Sequence, residues 1–203
     1  MPLPHRIAIA TLVALPFAAL AQAPAPAAAP AAGGKCTVKD GKVNVKLTTS
    51  AGPITLALDK AKAPITVDNF VKYVEAGFYE GTIFHRVING FMIQGGGFNK
   101  EMQEKPTQPP IKNEGSNGLT NDPYTIAMAR RGDPDSATAQ FYINVNNNVA
   151  LNAVAPRPGY AVFGKVTSGQ ETVDKIKAVT TGNRGMYQDV PTTPVVIEKA
   201  ECL

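Results

Sequence analysis

Apolar and polar residues alternate through KVNVKLTTSAGPITLALD on both sides of Ser50-Ala51-Gly52-Pro53, which predicts a β-hairpin. The period then changes. In APITVDNFVKYVEAGFY the residues Val67, Phe70, Val71 and Val74 fall at helical spacing. Pro64 suits the helix start, Thr66 or Asp68 can cap it, and Gly77 ends it. GTIFHRVI and FMIQGG read as short strands broken at Asn89-Gly90, and the stretch from Asn99 to Pro123 reads as a long loop rich in Pro, Gly and Asn. YTIAMA, AQFYINV and YAVFGKVT are further strand runs, GQETVDKIKAV is a second helix, and TTPVVIEKAEC is a final strand. About eight short strands, two helices and no internal repeat describe a mainly β barrel or sandwich, with the helices over the open ends of a barrel.

The N-terminal residues follow a different plan. MPLPHR carries Arg6, and IAIATLVALPFAAL follows as an apolar run broken by Pro16, too short for a comfortable membrane span. Ala19-Leu20-Ala21 fits a small-x-small cleavage site, so residues 1–21 are expected to be a cleavable export signal of a bacterial type, with the mature chain beginning at Gln22. Residues 22–34, QAPAPAAAPAAGG, are Ala/Pro-rich and lack apolar periodicity, which makes them a disordered tether. The folded domain is expected over residues 35–203. Its two cysteines, Cys36 and Cys202, lie at opposite ends of that domain. In an oxidising compartment they are expected to pair, closing nearly the whole domain in one loop worth roughly 3–5 kcal/mol in the chain-entropy description.

Charge and composition narrow the chemistry. A net charge of +4 comes from scattered Lys and Arg without a basic block, which disfavours a nucleic-acid groove. The chain has two histidines, His5 in the signal and His85, so the mature protein has no two-His metal site and implies no metal or cofactor. Ser-His-Asp chemistry would have to use His85, and its sequence neighbours offer no acyl-transfer machinery. Gly95-Gly96-Gly97 is followed neither by a helical pattern nor by Lys-Ser/Thr, so it fails the phosphate-loop test and points instead to tight backbone packing or a bulge. The tripeptide Arg131-Gly132-Asp133 is of a kind common by chance. What remains is an apolar, aromatic surface with a few hydrogen-bonding groups, Arg86, Gln94, Gln140 and Asn144, a composition that suits a peptide-binding groove.

FHRVINGFMIQGGGF, AMARRGDPDSATAQFYIN and GYAVFGKV resemble, in that order, the core motifs of the cyclophilins, which are peptidyl-prolyl cis-trans isomerases. The resemblance runs from about Asn44 to the C-terminus and, with YQDVPTTPVVI, is strongest toward a bacterial periplasmic branch. It implies a closed eight-stranded antiparallel barrel capped by two α-helices, with a packed interior and an active groove on the outer face. By motif, Arg86 is the catalytic arginine and Gln94 the residue that supports it. Phe91, Met92 and Tyr142 form a proline pocket with Leu151 at its edge, and Gln140 with the backbone of Ala129 and Arg130 holds the flanking peptide. His85 is expected to be a structural hydrogen-bonding residue. Two positions depart from the pattern: Ala150 stands where many cyclophilins carry Trp, and Tyr160 where many carry His. The function implied is isomerisation of X–Pro bonds in unfolded or partly folded exported polypeptides by a periplasmic, monomeric enzyme without nucleic-acid or membrane partners once the signal is cleaved. The alternative from another class is a proline-peptide-binding module or holdase chaperone with little turnover. A hollow lipocalin-like barrel is disfavoured by the bulky residues in the strands.

Overall fold

The computed structural model describes residues 35–203; the expected signal and tether lie outside the described residues. Eight strands form one antiparallel sheet. In chain order they are β1 (Lys42–Thr49), β2 (Gly52–Asp59), β3 (Thr82–Ile88), β4 (Met92–Asn99), β5 (Thr125–Met128), β6 (Phe141–Asn144), β7 (Val162–Ser168) and, after a separate pair, β10 (Ile197–Cys202). Their order in space is β10-β1-β2-β7-β5-β6-β4-β3. The two ends meet where Ile83 bridges Val196 and the Phe84 N–H donates to the Val195 carbonyl at 3.0 Å, so the sheet curls into a nearly closed barrel. The separate pair, β8 (Thr181–Arg184) and β9 (Tyr187–Pro191), is a short antiparallel ribbon that the hydrophobic pattern does not predict, because its residues are mostly polar and half exposed.

Strand alternation fills the barrel. Val45, Leu47, Leu56, Phe84, Ile93, Ile126, Phe141, Ile143 and Phe163 share one interior cluster. Helices α1 (Pro64–Glu75) and α2 (Gln170–Lys177) join it through Val67, Phe70 and Val74 and through Val173 and Ile176. The Phe70 ring meets Phe141 on β6 and Phe163 on β7 at centroid distances of 5.6 and 5.3 Å.

Pro64 opens α1 as expected, but neither Thr66 nor Asp68 caps it. The free N–H groups of Ile65 and Thr66 donate instead to the Glu114 carboxylate at 3.1 and 2.8 Å, and the Thr66 hydroxyl donates to it at 2.7 Å. Glu114 lies on the long loop, so a distant anion performs the task that a local side chain usually does. At the other end Gly77 adopts a φ of 63° just past Ala76, the left-handed stop that glycine favours. Cys36 and Cys202 are joined in a disulfide with their Cα atoms 5.1 Å apart, tying the start of the described chain to the end of β10.

Candidate active site

The groove is assembled on the outer face of the barrel by strand register. Arg86 on β3 pairs with Gln94 on β4, Gln94 with Tyr142 on β6, Tyr142 with Ala127 on β5, and Ala127 with Val162 on β7. Directly opposed residues share a face, so these five stand in one row across five strands. The neighbours of that row close over each other outside the barrel: Met92, Ala127, Tyr142 and Val162 form a second buried apolar cluster, edged by Ile88, Phe91, Leu119, Ala129, Leu151 and Tyr160. The four proposed pocket residues Phe91, Met92, Tyr142 and Leu151 are therefore together, and separate from the interior core.

A break in register turns Arg86 toward this face. Between Phe84 and Arg86 the strand β3 advances two residues while β4 advances one, from Gly95 to Gln94. The extra residue is a β-bulge, which reverses the face of everything beyond it. Phe84 points inward and Val87 points inward, while Arg86 between them keeps its side chain 42% exposed.

The glycine run on β4 serves the same end, as the expected bulge and as tight packing together. From Thr82 to Phe84 β3 advances two residues while β4 advances four, from Asn99 to Gly95. Gly96 sits at a φ of 81°, and a Cβ there would lie 2.8 Å from the Phe141 ring. A Cβ on Gly97 would overlap the side chain of Gln140. Small residues here let β6 carry Gln140 close over β4.

Gln140 links the polar side of the groove. The Gln94 amide donates to Gln140 Oε1 at 3.0 Å, and the Gln140 amide donates to Glu104 at 3.5 Å. Gln94 thus lies opposite Arg86 in register, and its amide N–H donates to Gln140; no hydrogen bond joins the Gln94 and Arg86 side chains among the described residues. Two hollows flank this bridge. One, of about 480 Å³, is lined by Gln94, Glu104, Gln108, Ala129, Arg130 and Gln140. The other, of about 460 Å³, holds His85, Arg86, Phe98, Tyr187 and Asp189, and shares Glu104, Arg131 and Gln140 with the first. The Arg130 guanidinium lies 4.4 Å from the centre of the Tyr160 ring and donates from Nε and Nη2 to the Gly159 carbonyl at 3.3 and 3.2 Å. It is thereby held against Tyr160 as a wall of the groove.

Hydrogen bonds fix the pocket from behind. The Tyr142 hydroxyl donates to Asn121 Oδ1 at 2.7 Å, and burial pushes the Tyr142 phenol well above its ordinary pKa, so it stays a neutral donor. Asn144 donates to the same Asn121 oxygen at 3.2 Å, Asn148 donates to the Phe91 carbonyl at 2.8 Å, and Asn152 accepts from the Asn121 backbone and amide at 2.8 and 2.9 Å. Apart from Asn144, the sequence pattern does not mark these asparagines; only the folding of the segment after β6 back over β4 brings Asn148 and Asn152 to the pocket. Ala150 lies exposed in a short 3-10 turn, Val149–Leu151, at the rim of the pocket. His85 is buried beside Phe98, with ring centroids 4.6 Å apart, and its Nδ1 has no hydrogen-bond partner among the described residues.

A nearly closed barrel with two helices carries, on its outer wall, an apolar cluster with Arg86 in the adjoining strand row. Residues 44–202 match the family described as cyclophilin type peptidyl-prolyl cis-trans isomerase, and the chain belongs to that family. It is 60% identical over 162 residues to peptidyl-prolyl cis-trans isomerase cyp18 of Streptomyces antibioticus, covering 78% of this chain and 98% of the relative. It is 58% identical over 160 residues to peptidyl-prolyl cis-trans isomerase A of Dickeya dadantii, covering 79% and 84%. Against isomerase B of Escherichia coli K12 the identity is 54% over 157 residues, covering 76% and 96%. Among solved structures, a Cryptosporidium parvum cyclophilin shares the fold with a TM-score of 0.66 at 24% identity, covering 80% of this chain and 98% of that one.

Proposed function

We propose that this chain is a peptidyl-prolyl cis-trans isomerase that speeds X–Pro rotation in exported polypeptides and so assists their folding, with Arg86 as its catalytic group. The observation that carries the reading is the row from Arg86 through Gln94 to Tyr142, which sets one guanidinium at the edge of an apolar pocket. An X–Pro amide resists rotation because its nitrogen lone pair is delocalised into the carbonyl, with a barrier of ~18–20 kcal/mol. When the bond twists, that lone pair localises on nitrogen. A guanidinium donor directed at it stabilises the twisted state more than either planar isomer, which is the condition for catalysis. The pocket of Phe91, Met92, Tyr142 and Leu151 takes the proline ring, and a bound peptide covering the half-exposed Arg86 excludes water and strengthens the donor. No covalent intermediate and no metal enters this scheme.

The export part of the reading rests on the sequence signal at residues 1–21 and on the Cys36–Cys202 disulfide, a bond that oxidising compartments favour. A protease-coupled proline-peptide assay tests the chemistry. Arg86→Ala should lower kcat/KM by at least about 10²-fold, or about 2.7 kcal/mol, with the fold kept. Activity within a few-fold of wild type in a folded variant would sink the mechanism. Cell fractionation with N-terminal mass determination tests export, and a cytoplasmic chain that keeps Met1 would overturn it.

A further inference from the structure

The ribbon β8–β9 stands outside the eight-stranded sheet and packs along β3, on the side of Arg86 away from the proline pocket. It presents one carboxylate there: Asp189 Oδ2 lies 4.0 Å from Arg86 Nε. Among the described residues this is the carboxylate within 4.0 Å of the Arg86 guanidinium. Asp189 also has a backbone φ of 58°, in the left-handed region that most side chains avoid.

We propose that Asp189 is a positioning residue that orients the Arg86 guanidinium toward the groove; this rests on the reading of Arg86 as the catalytic cation. Arg86 has a long side chain on an open wall; the hollow it lines also holds Glu104 and Gln140, but Asp189 is the carboxylate within 4.0 Å of it. A single carboxylate on the far side restricts its rotamers without covering the face that meets the peptide. Both groups are about two-fifths exposed, at 42% and 41%, so water weakens the pair and leaves most of the positive charge available. The contribution expected from such a pair is about two- to fivefold in rate.

Asp189→Asn isolates the charge, because Asn accepts the left-handed backbone as readily as Asp. In the protease-coupled assay it should lower kcat/KM two- to fivefold, with KM within about twofold of wild type. Raising salt toward 1 M, where the Debye length falls to about 3 Å, should slow the wild type toward the variant and leave the variant unchanged. In an Arg86→Ala background, Asp189→Asn should have no further effect. Nitrogen-15 spectra of the Arg86 Nε–H should show faster hydrogen exchange once Asp189 is replaced. An Asp189→Asn rate at or above wild type, or the same fractional loss with and without Arg86, overturns the assignment while the Arg86 reading stands. Wild-type activity in Arg86→Ala removes the Arg86 reading and this one with it.

Discussion

His85 and Arg86 are adjacent in sequence and carry the two ends of the polarity scale at this site. In the proposed mechanism Arg86 keeps its charge in reach of a peptide; His85 is buried and neutral. Burial lowers the His85 imidazole to about 4, the Ile83 carbonyl opposes this in part, and the Arg86 charge adds to it. The folded value therefore lies below the ordinary 6.5 of the unfolded chain. Between those limits the unfolded state binds more protons, so the contribution of His85 to stability is fully present above pH 6.5 and is lost as pH falls toward 4. It amounts to something on the order of 3 kcal/mol across the window. Urea unfolding measured from pH 7.5 down to 4.5 should show this slope in the wild type and a flatter one in His85→Gln. Because the imidazole stays neutral well below pH 6, kcat/KM should not follow a His titration near neutrality. A bell-shaped profile centred on 6 to 7 would make His85 a general base and contradict this account.

Two elements hold the site at places where a small change separates stability from activity. Gly96 and Gly97 are neighbours on β4 with different constraints. Gly96 combines a φ of 81° with a ring carbon 2.8 Å from where a Cβ would sit, so Gly96→Ala should lose about 2–5 kcal/mol from backbone strain and overpacking together. Gly97 has no such backbone demand and meets the side chain of Gln140. Gly97→Ala should displace Gln140 from Gln94 and Glu104 and raise KM several-fold, with a stability loss of only about 1 kcal/mol. Denaturant titration and steady-state kinetics on the pair separate the two effects; equal stability losses would contradict them. Helix α1 supplies a comparable test. Glu114→Ala removes the acceptor of three hydrogen bonds at the helix start and should cost about 1–3 kcal/mol, with kcat/KM little changed at temperatures where the variant is folded.

At the scale of the molecule the chain is closed twice, by the bridge from Ile83 on β3 to Val196 just before β10 and by the disulfide between residues 166 positions apart. Cys36→Ser with Cys202→Ser should lower unfolding free energy by about 3–5 kcal/mol through the freed unfolded chain. The groove lies on the wall built by β3 to β7, and the disulfide joins Cys36 to the end of β10, so turnover by the folded double variant should stay close to wild type. Reduction of the native protein should reproduce the thermal shift, and loss of activity in the folded variant would show that the disulfide shapes the groove.

The sequence determined the parts of this protein that follow from local period and local chemistry. Alternation gave the eight barrel strands and the 3.6-residue period gave both helices, because each pattern has a single way to bury its apolar face. The candidate groove residues come from long ordered motifs, not from periodicity, which would assign Tyr142 and Met92 to the interior. Only the tertiary structure decided which side of the wall each one occupies. The bulge at Phe84–Arg86 reverses the side-chain face within one strand, and nothing in a run of alternating residues marks where that slip falls. Long-range partners were hidden for the same reason. Glu114 caps α1 at Thr66 from 48 residues away, Asn121 holds the Tyr142 hydroxyl, and Asp189 faces Arg86 from a polar ribbon with no apolar signal of its own. Each is a polar contact between segments distant in sequence, and such contacts leave no periodic trace because only chain closure brings the partners together.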